Sequence, residues 1–158
     1  MLQRHDPANT KVSRRLHSQW CILRTVITTL QKMSSSNERA LVSVVDDDES
    51  VRESLPDLLR ELGFAVNAFA SAHEFLTSGE VGMTRCLVLD VAMPGMSGPE
   101  LQRELTHQGH AIPIIFITAR ADETVRQQLM ARGAVECLFK PFNEQQLRTA
   151  LDAAMRPV

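Results

Sequence analysis

Cys86-Leu87-Val88-Leu89-Asp90, followed by Val91-Ala92-Met93-Pro94-Gly95, is the stretch on which the fold turns. Four consecutive apolar residues read as a strand buried on both faces, as in a parallel sheet covered by helices. The carboxylate after them leaves at the strand's carboxyl end, the edge where open α/β sheets bind ligands. Working outward, three further apolar runs end in polar groups. Residues 41–45 (LVSVV) lead into Asp46-Asp47-Asp48, residues 114–117 (IIFI) into Thr118-Ala119, and residues 135–139 (VECLF) into Lys140-Pro141. Carboxylates, a hydroxyl and an ammonium gathered at strand termini describe a site for phosphoryl and metal chemistry.

Between the strands the apolar spacing turns helical, and strands and helices alternate five times. The spacing predicts helices over 50–62, 72–77, 99–107, 123–131 and 144–155. Their ends carry signals with a cause. Gly63 and Gly133 suit left-handed caps, Pro99 suits a first turn, and Asp122 and Asn143 can accept bonds from otherwise orphan helix-start amides. Pro56 is the irregular residue. Within a helix it removes a backbone donor and crowds the preceding turn, a cost of about 3 kcal/mol, so the first helix either kinks or begins late. The βα repeat implies a doubly wound parallel sheet with right-handed crossovers and helices on both faces.

VVDDDESVRESL, CLVLDVAMPGMSG, IPIIFITAR and GAVECLFKPF together resemble the receiver domain of two-component response regulators, over residues 40–156. The wording LDVAMPGMSG with FITAR is most similar to receivers that precede LuxR-type DNA-binding domains. The resemblance implies a flavodoxin-like α/β fold with five strands in the order 2-1-3-4-5 and five helices. It also implies a phosphorelay function, in which Asp90 accepts a phosphoryl group from a sensor histidine kinase or a phosphotransfer protein and signals by a conformational switch to an output protein.

The resemblance assigns the remaining roles residue by residue. Mg²⁺ is held by Asp46, Asp47, Asp90 and the backbone carbonyl of Ala92; hard oxygen ligands suit that ion. Lys140 places its ammonium on a phosphoryl oxygen, and the Lys140-Pro141 bond is cis. Thr118 donates its hydroxyl to another phosphoryl oxygen, and Ala119 is small enough to keep the approach open. In receivers the position three residues before the lysine carries Tyr or Phe. Here it is Cys137, which implies either a weakened ring-based readout or a simple buried thiol with the change passing through helix movement alone. Each residue alone has a bland reading: Asp46 to Glu49 as a solvated turn capped by Asp48, Asp90 as a turn residue, Thr118 as a β-branched terminus, Lys140 as a surface lysine. Four at successive strand ends do not.

Composition bounds the alternatives. At 158 residues, 44% hydrophobic and 23% charged, the chain is ordinary for one globular domain. Its net charge of −2 hides an asymmetry. Residues 1–39 carry seven Lys/Arg against Asp6 and Glu38, net +5, and residues 40–158 carry ten against seventeen, net −7. An acidic domain binds nucleic acid poorly, so none is expected as a direct partner. Residues 1–39 lack sustained periodicity and finish in Met33-Ser34-Ser35-Ser36, the composition of a disordered basic extension, with Met33 the expected true start. The stretch from Trp20 to Leu30 is interrupted by Arg24 and is too short for a bilayer span, so no membrane anchoring is expected. Cys21, Cys86 and Cys137 show no ligand spacing and read as reduced thiols of a cytoplasmic protein.

Three rivals remain. After Met155 only Arg156-Pro157-Val158 follow, too few for a helix-turn-helix, so a DNA-binding regulator that has lost its output domain is the alternative. A phosphatase of the haloacid dehalogenase class would need a second Asp two residues after the nucleophile, where Ala92 stands. A scaffold pseudo-receiver would not need all four polar strand ends. As an enzyme the chain qualifies only through phosphoryl acceptance and slow autodephosphorylation.

Overall fold

The computed structural model describes residues 39–157. The basic extension, the candidate start at Met33, the stretch from Trp20 to Leu30 and Cys21 lie outside the described residues. Five strands, β1 (Leu41–Val45), β2 (Ala65–Phe69), β3 (Cys86–Asp90), β4 (Ile114–Thr118) and β5 (Glu136–Phe139), form one parallel sheet in the order β2-β1-β3-β4-β5. Five helices connect them: α1 (Glu49–Glu61), α2 (Ala72–Thr77), α3 (Gly98–His107), α4 (Glu123–Ala131) and α5 (Glu144–Ala154). A short 3₁₀ turn at Val81–Met83 precedes β3. The expected order and helix number hold. Among the described residues no helix is long and apolar enough to cross a membrane.

The apolar runs explain the layering. All five residues of β3 and of β4 are buried, and alternate side chains enter different cores. Leu87, Leu89, Ile114 and Phe116 pack with Phe75 of α2, Leu101 and Leu105 of α3 and Leu129 of α4. Val42, Val44, Cys86, Val88, Ile115 and Ile117 pack with Leu55 and Leu59 of α1 and Leu147 and Leu151 of α5. Helices therefore cover both faces. Ser43, buried on the inner strand β1, is satisfied by a 2.8 Å hydrogen bond with the Thr84 hydroxyl.

Pro56 lies inside α1, which starts at Glu49, so the late-start reading is corrected. Asp48 caps the helix, its side chain accepting from the Ser50 amide at 2.9 Å. The proline is itself buried, beside Leu55 and Leu59. Burying the two leucines contributes about 3–6 kcal/mol, enough to offset a proline cost of about 3 kcal/mol. Gly63 and Gly133 take φ of 98° and 93° just after α1 and α4, as their cap positions require. Asp122 and Asn143 cap α4 and α5 through their side chains. Pro99 falls in the first turn of α3, one residue later than the helix start at Gly98.

Candidate functional site

Strand parity decides which polar ends meet. Val45 of β1 stands opposite Leu89 of β3, so the next residues, Asp46 and Asp90, emerge side by side. Both continue the parity of the side chains directed at α1 and α5, and so does Lys140 after Leu138. The Lys140 Nζ donates to Asp46 Oδ2 at 2.7 Å and to Asp90 Oδ1 at 3.0 Å. The Lys140-Pro141 peptide is cis. Carboxylate oxygens of Asp46, Asp47 and Asp90 all lie within 4.8 Å of one another.

The three aspartates after β1 are alike in the sequence and different in the structure. Asp46 is fully buried, with Oδ1 accepting from the Asp48 amide at 2.9 Å and Oδ2 holding Lys140. Asp47 is exposed beside it. Asp48 is turned away as the helix cap, and its bonds from Ser50 hold its carboxyl below the ordinary value. The bland reading of residues 46–49 as a solvated turn therefore fails at Asp46, which is buried and bonded. Lys140, expected on a phosphoryl oxygen, here neutralises part of the cluster. With the three carboxylates ionised, one bonded ammonium leaves the cluster at −2, the charge complement of a divalent cation.

Burial pushes the Asp90 carboxyl upward; the Lys140 bond opposes this and the neighbouring Asp46 adds to it, so the net shift is upward. Burial lowers Lys140, but its bonds to Asp46 and Asp90 outweigh that and raise it above 10.5. Both raised groups stabilise the fold most when protonated. Asp90's contribution is full below 3.8 and lost as pH rises through its higher folded value; Lys140's is full below 10.5 and lost above it. Urea melts of chelator-treated protein should therefore show stability falling above about pH 10.5, with that fall reduced in Lys140→Met. An identical alkaline slope in the variant would refute the assignment to Lys140.

Thr118 and Ala119 make no hydrogen bond to the ionic cluster. Thr118 has the opposite parity, following Ile114 and Phe116, and is buried; its Oγ1 accepts from the Arg120 amide at 3.2 Å. Ala119 and Ala92 are exposed. Cys137 is buried in the core beside Leu129 of α4, and burial pushes its thiol up; Cys86 is pushed up to about 12. Neither is a reactive thiolate.

Two supporting residues escaped the sequence reading. Gly98, at the start of α3, is buried and donates its amide to the Val91 carbonyl at 3.0 Å. An added Cβ there would collide with the Asp90 carbonyl oxygen and stand 3.0 Å from the Phe116 ring. Arg52 of α1 donates from Nη1 to the Asp46 carbonyl at 2.9 Å. Gly98 had a signal in the run Pro-Gly-Met-Ser-Gly, since a glycine at a helix start marks close backbone approach; Arg52 had none.

Residues 42–152 match the response regulator receiver domain model. Nodulation protein W of Bradyrhizobium diazoefficiens is 46% identical over 121 residues, which is 77% of this chain and 53% of that protein. Transcriptional regulatory protein FixJ of Azorhizobium caulinodans is 40% identical over 114 residues, 72% of this chain and 54% of that one. Among solved structures, the response regulator StyR is 49% identical with a TM-score of 0.68, covering 74% of this chain and 59% of that chain. FixJ-N is 38% identical with a TM-score of 0.67, covering 75% and 94%. The chain spans about half the length of the curated relatives it matches. With this sheet order and a family match over most of its length, the chain belongs to the response regulator receiver domain family.

Proposed function

We propose that this domain, residues 40–156, is the phosphoacceptor of a two-component phosphorelay. Asp90 takes the phosphoryl group, with Mg²⁺ held by Asp46, Asp47, Asp90 and the Ala92 carbonyl. The observation that carries this reading is the cluster of three carboxylate groups within 4.8 Å, two of them bridged by one lysine. Oxygen donors and a residual −2 suit a hard divalent cation. When bound, Mg²⁺ supplies charge neutralisation for an anionic phosphoryl group.

The chain's own residues do the rest. Lys140 holds Asp90 Oδ1, leaving Oδ2 without a hydrogen bond among the described residues and free to attack. An O–P bond forms as the P–N bond to the donor's imidazole breaks, and the electron pair leaves with that nitrogen. Lys140 then carries its charge to a phosphoryl oxygen, and Thr118, whose Oγ1 accepts from the Arg120 amide, donates its hydroxyl proton to another phosphoryl oxygen. Ala119 keeps the approach open. The donor is a sensor histidine kinase or phosphotransfer protein, and the receiver of the signal is an output protein. The inert buried thiols Cys86 and Cys137 support a cytoplasmic location. Incubation of the protein with acetyl phosphate and Mg²⁺, followed by peptide mass spectrometry, tests the reading; a stable adduct elsewhere than Asp90 would reject it.

The two metal-side aspartates should separate. Asp47→Ala removes an exposed ligand and should abolish Mg²⁺ binding with metal-free stability within about 0.5 kcal/mol of wild type. Asp46→Ala also strips Lys140 and the Asp48 amide of a buried partner and should cost about 1–3 kcal/mol without metal. Equal melting temperatures for the two variants would show that burial of Asp46 contributes nothing.

We further propose that residues 1–39 are a dispensable extension, supported by the absence of a periodic apolar face in their sequence. Deleting residues 1–32 should leave melting temperature and Asp90 labelling unchanged; a drop of several degrees on deletion would contradict this. Relatives named as transcriptional regulatory proteins extend well beyond the matched region, which supports a second reading, a receiver acting ahead of a DNA-binding output. Reading the nucleotide sequence downstream of Val158 separates the two.

A further inference from the structure

Asp46 is held at every polar atom. Its amide donates to the Phe69 carbonyl at 3.1 Å, Oδ1 accepts from the Asp48 amide at 2.9 Å and Oδ2 accepts from Lys140 at 2.7 Å. Its carbonyl lies beyond the last ladder residue of β1, Val45, where the sheet offers no partner. Arg52 fills that place, reaching back from the first turns of α1 to donate at 2.9 Å. A peptide is planar, so fixing the Asp46 carbonyl also fixes the amide and Cα of Asp47. Asp47 is exposed and makes no side-chain hydrogen bond among the described residues, so its placement depends on that plane.

We infer that Arg52 is a positioning residue for the cation site: its bond to the Asp46 carbonyl sets the peptide that carries Asp47, and thereby the affinity for a divalent cation. Arg52 bonds none of the carboxylates and acts only through the backbone. The inference rests on the metal-binding reading proposed above. Its sign separates it from a charge effect. Removing a guanidinium from the neighbourhood of a cation site should tighten cation binding by Coulomb's law. Losing an orienting partner behind a ligand typically weakens metal affinity by about 10–100-fold. A purely structural role would lower the melting temperature and leave the affinity alone.

The test is calorimetric titration of the full chain with MgCl₂, for wild type, Arg52→Met and Arg52→Lys, beside metal-free melting temperatures. Arg52→Met keeps the aliphatic stem and loses the donor; it should bind Mg²⁺ about tenfold or more weakly while remaining folded. Arg52→Lys, which keeps a donor, should recover part of the loss. A folded Arg52→Met with affinity equal to or tighter than wild type overturns the inference. If Arg52→Met does not fold, Arg52→Gln, too short to reach, is held to the same criterion. Wild type that binds no Mg²⁺ overturns the metal reading itself, whereas wild-type binding with unchanged variants overturns the role of Arg52 alone.

Discussion

Asp90→Asn should lose labelling by acetyl phosphate by at least about 10³-fold, and wild type in excess chelator should lose nearly as much. Replacing the carboxylate by an amide removes the charged oxygen that attacks, and neither Asp46 nor Asp48 is placed to substitute. Asp46 is fully buried with both oxygens engaged, and Asp48 is turned away as a helix cap. The chelator effect has a separate cause. An incoming phosphoryl group is an anion, and two unit charges about 4 Å apart at an effective dielectric near 20 repel by about 4 kcal/mol. At about 1.4 kcal/mol per tenfold, that is roughly three orders of magnitude in rate. Lys140 already serves Asp46 and Asp90, so it neutralises only one of three carboxylates. Mass spectrometry of the intact variant and of chelator-treated wild type measures both losses. Undiminished labelling of Asp90→Asn would move the acceptor elsewhere, and undiminished labelling in chelator would show that the lysine alone suffices.

What could be read from the chain beforehand follows from which forces act locally. β3 and β4 announce themselves because burial on both faces demands nearly unbroken apolar runs, β1 and β5 keep apolar stretches around Ser43 and after Glu136, and the polar residue after each strand marks the functional edge. β2 is harder: it lies at the sheet's edge, with Asn67 exposed in its middle, so AVNAF carries no run. The acidic triplet is visible, but not its division of labour. Asp46 becomes the buried partner of a lysine 94 residues away, a contact no local pattern contains. Thr118 shares the strand-end position of Asp90 and Lys140, yet its parity follows Ile114 and Phe116, so its hydroxyl bonds the Arg120 amide. Parity within one strand is legible; the register between strands, which decides whose parities coincide at the edge, is set by packing across the whole sheet.

Gly98 is the glycine at which an added methyl group meets close neighbours. Its φ is not left-handed, so backbone freedom is not the reason for glycine. Close approach is: a Cβ would overlap the Asp90 carbonyl oxygen and press on the Phe116 ring at 3.0 Å. Neither neighbour can yield easily. The carbonyl belongs to the last residue of the central strand, and Phe116 is fully buried among the α2, α3 and α4 side chains. Overpacking typically costs about 1–3 kcal/mol and more where backbone must move. Gly98→Ala is therefore expected to cost about 3 kcal/mol, or roughly 10 °C in melting temperature at this size. Relief by movement would displace the Asp90 backbone, and misplacing a reacting group by about 1 Å costs on the order of 10²-fold in rate. Acetyl phosphate labelling of the folded fraction should fall by about that factor. Gly82→Ala is the control, since a Cβ there meets open space at an ordinary φ, and it should stay within about 0.5 kcal/mol of wild type. If Gly98→Ala melts within 2 °C of that control, by the ~3–5 °C per kcal/mol expected here, and labels at the wild-type rate, then the junction of β3 and α3 is free to relax and does not hold the acceptor in place.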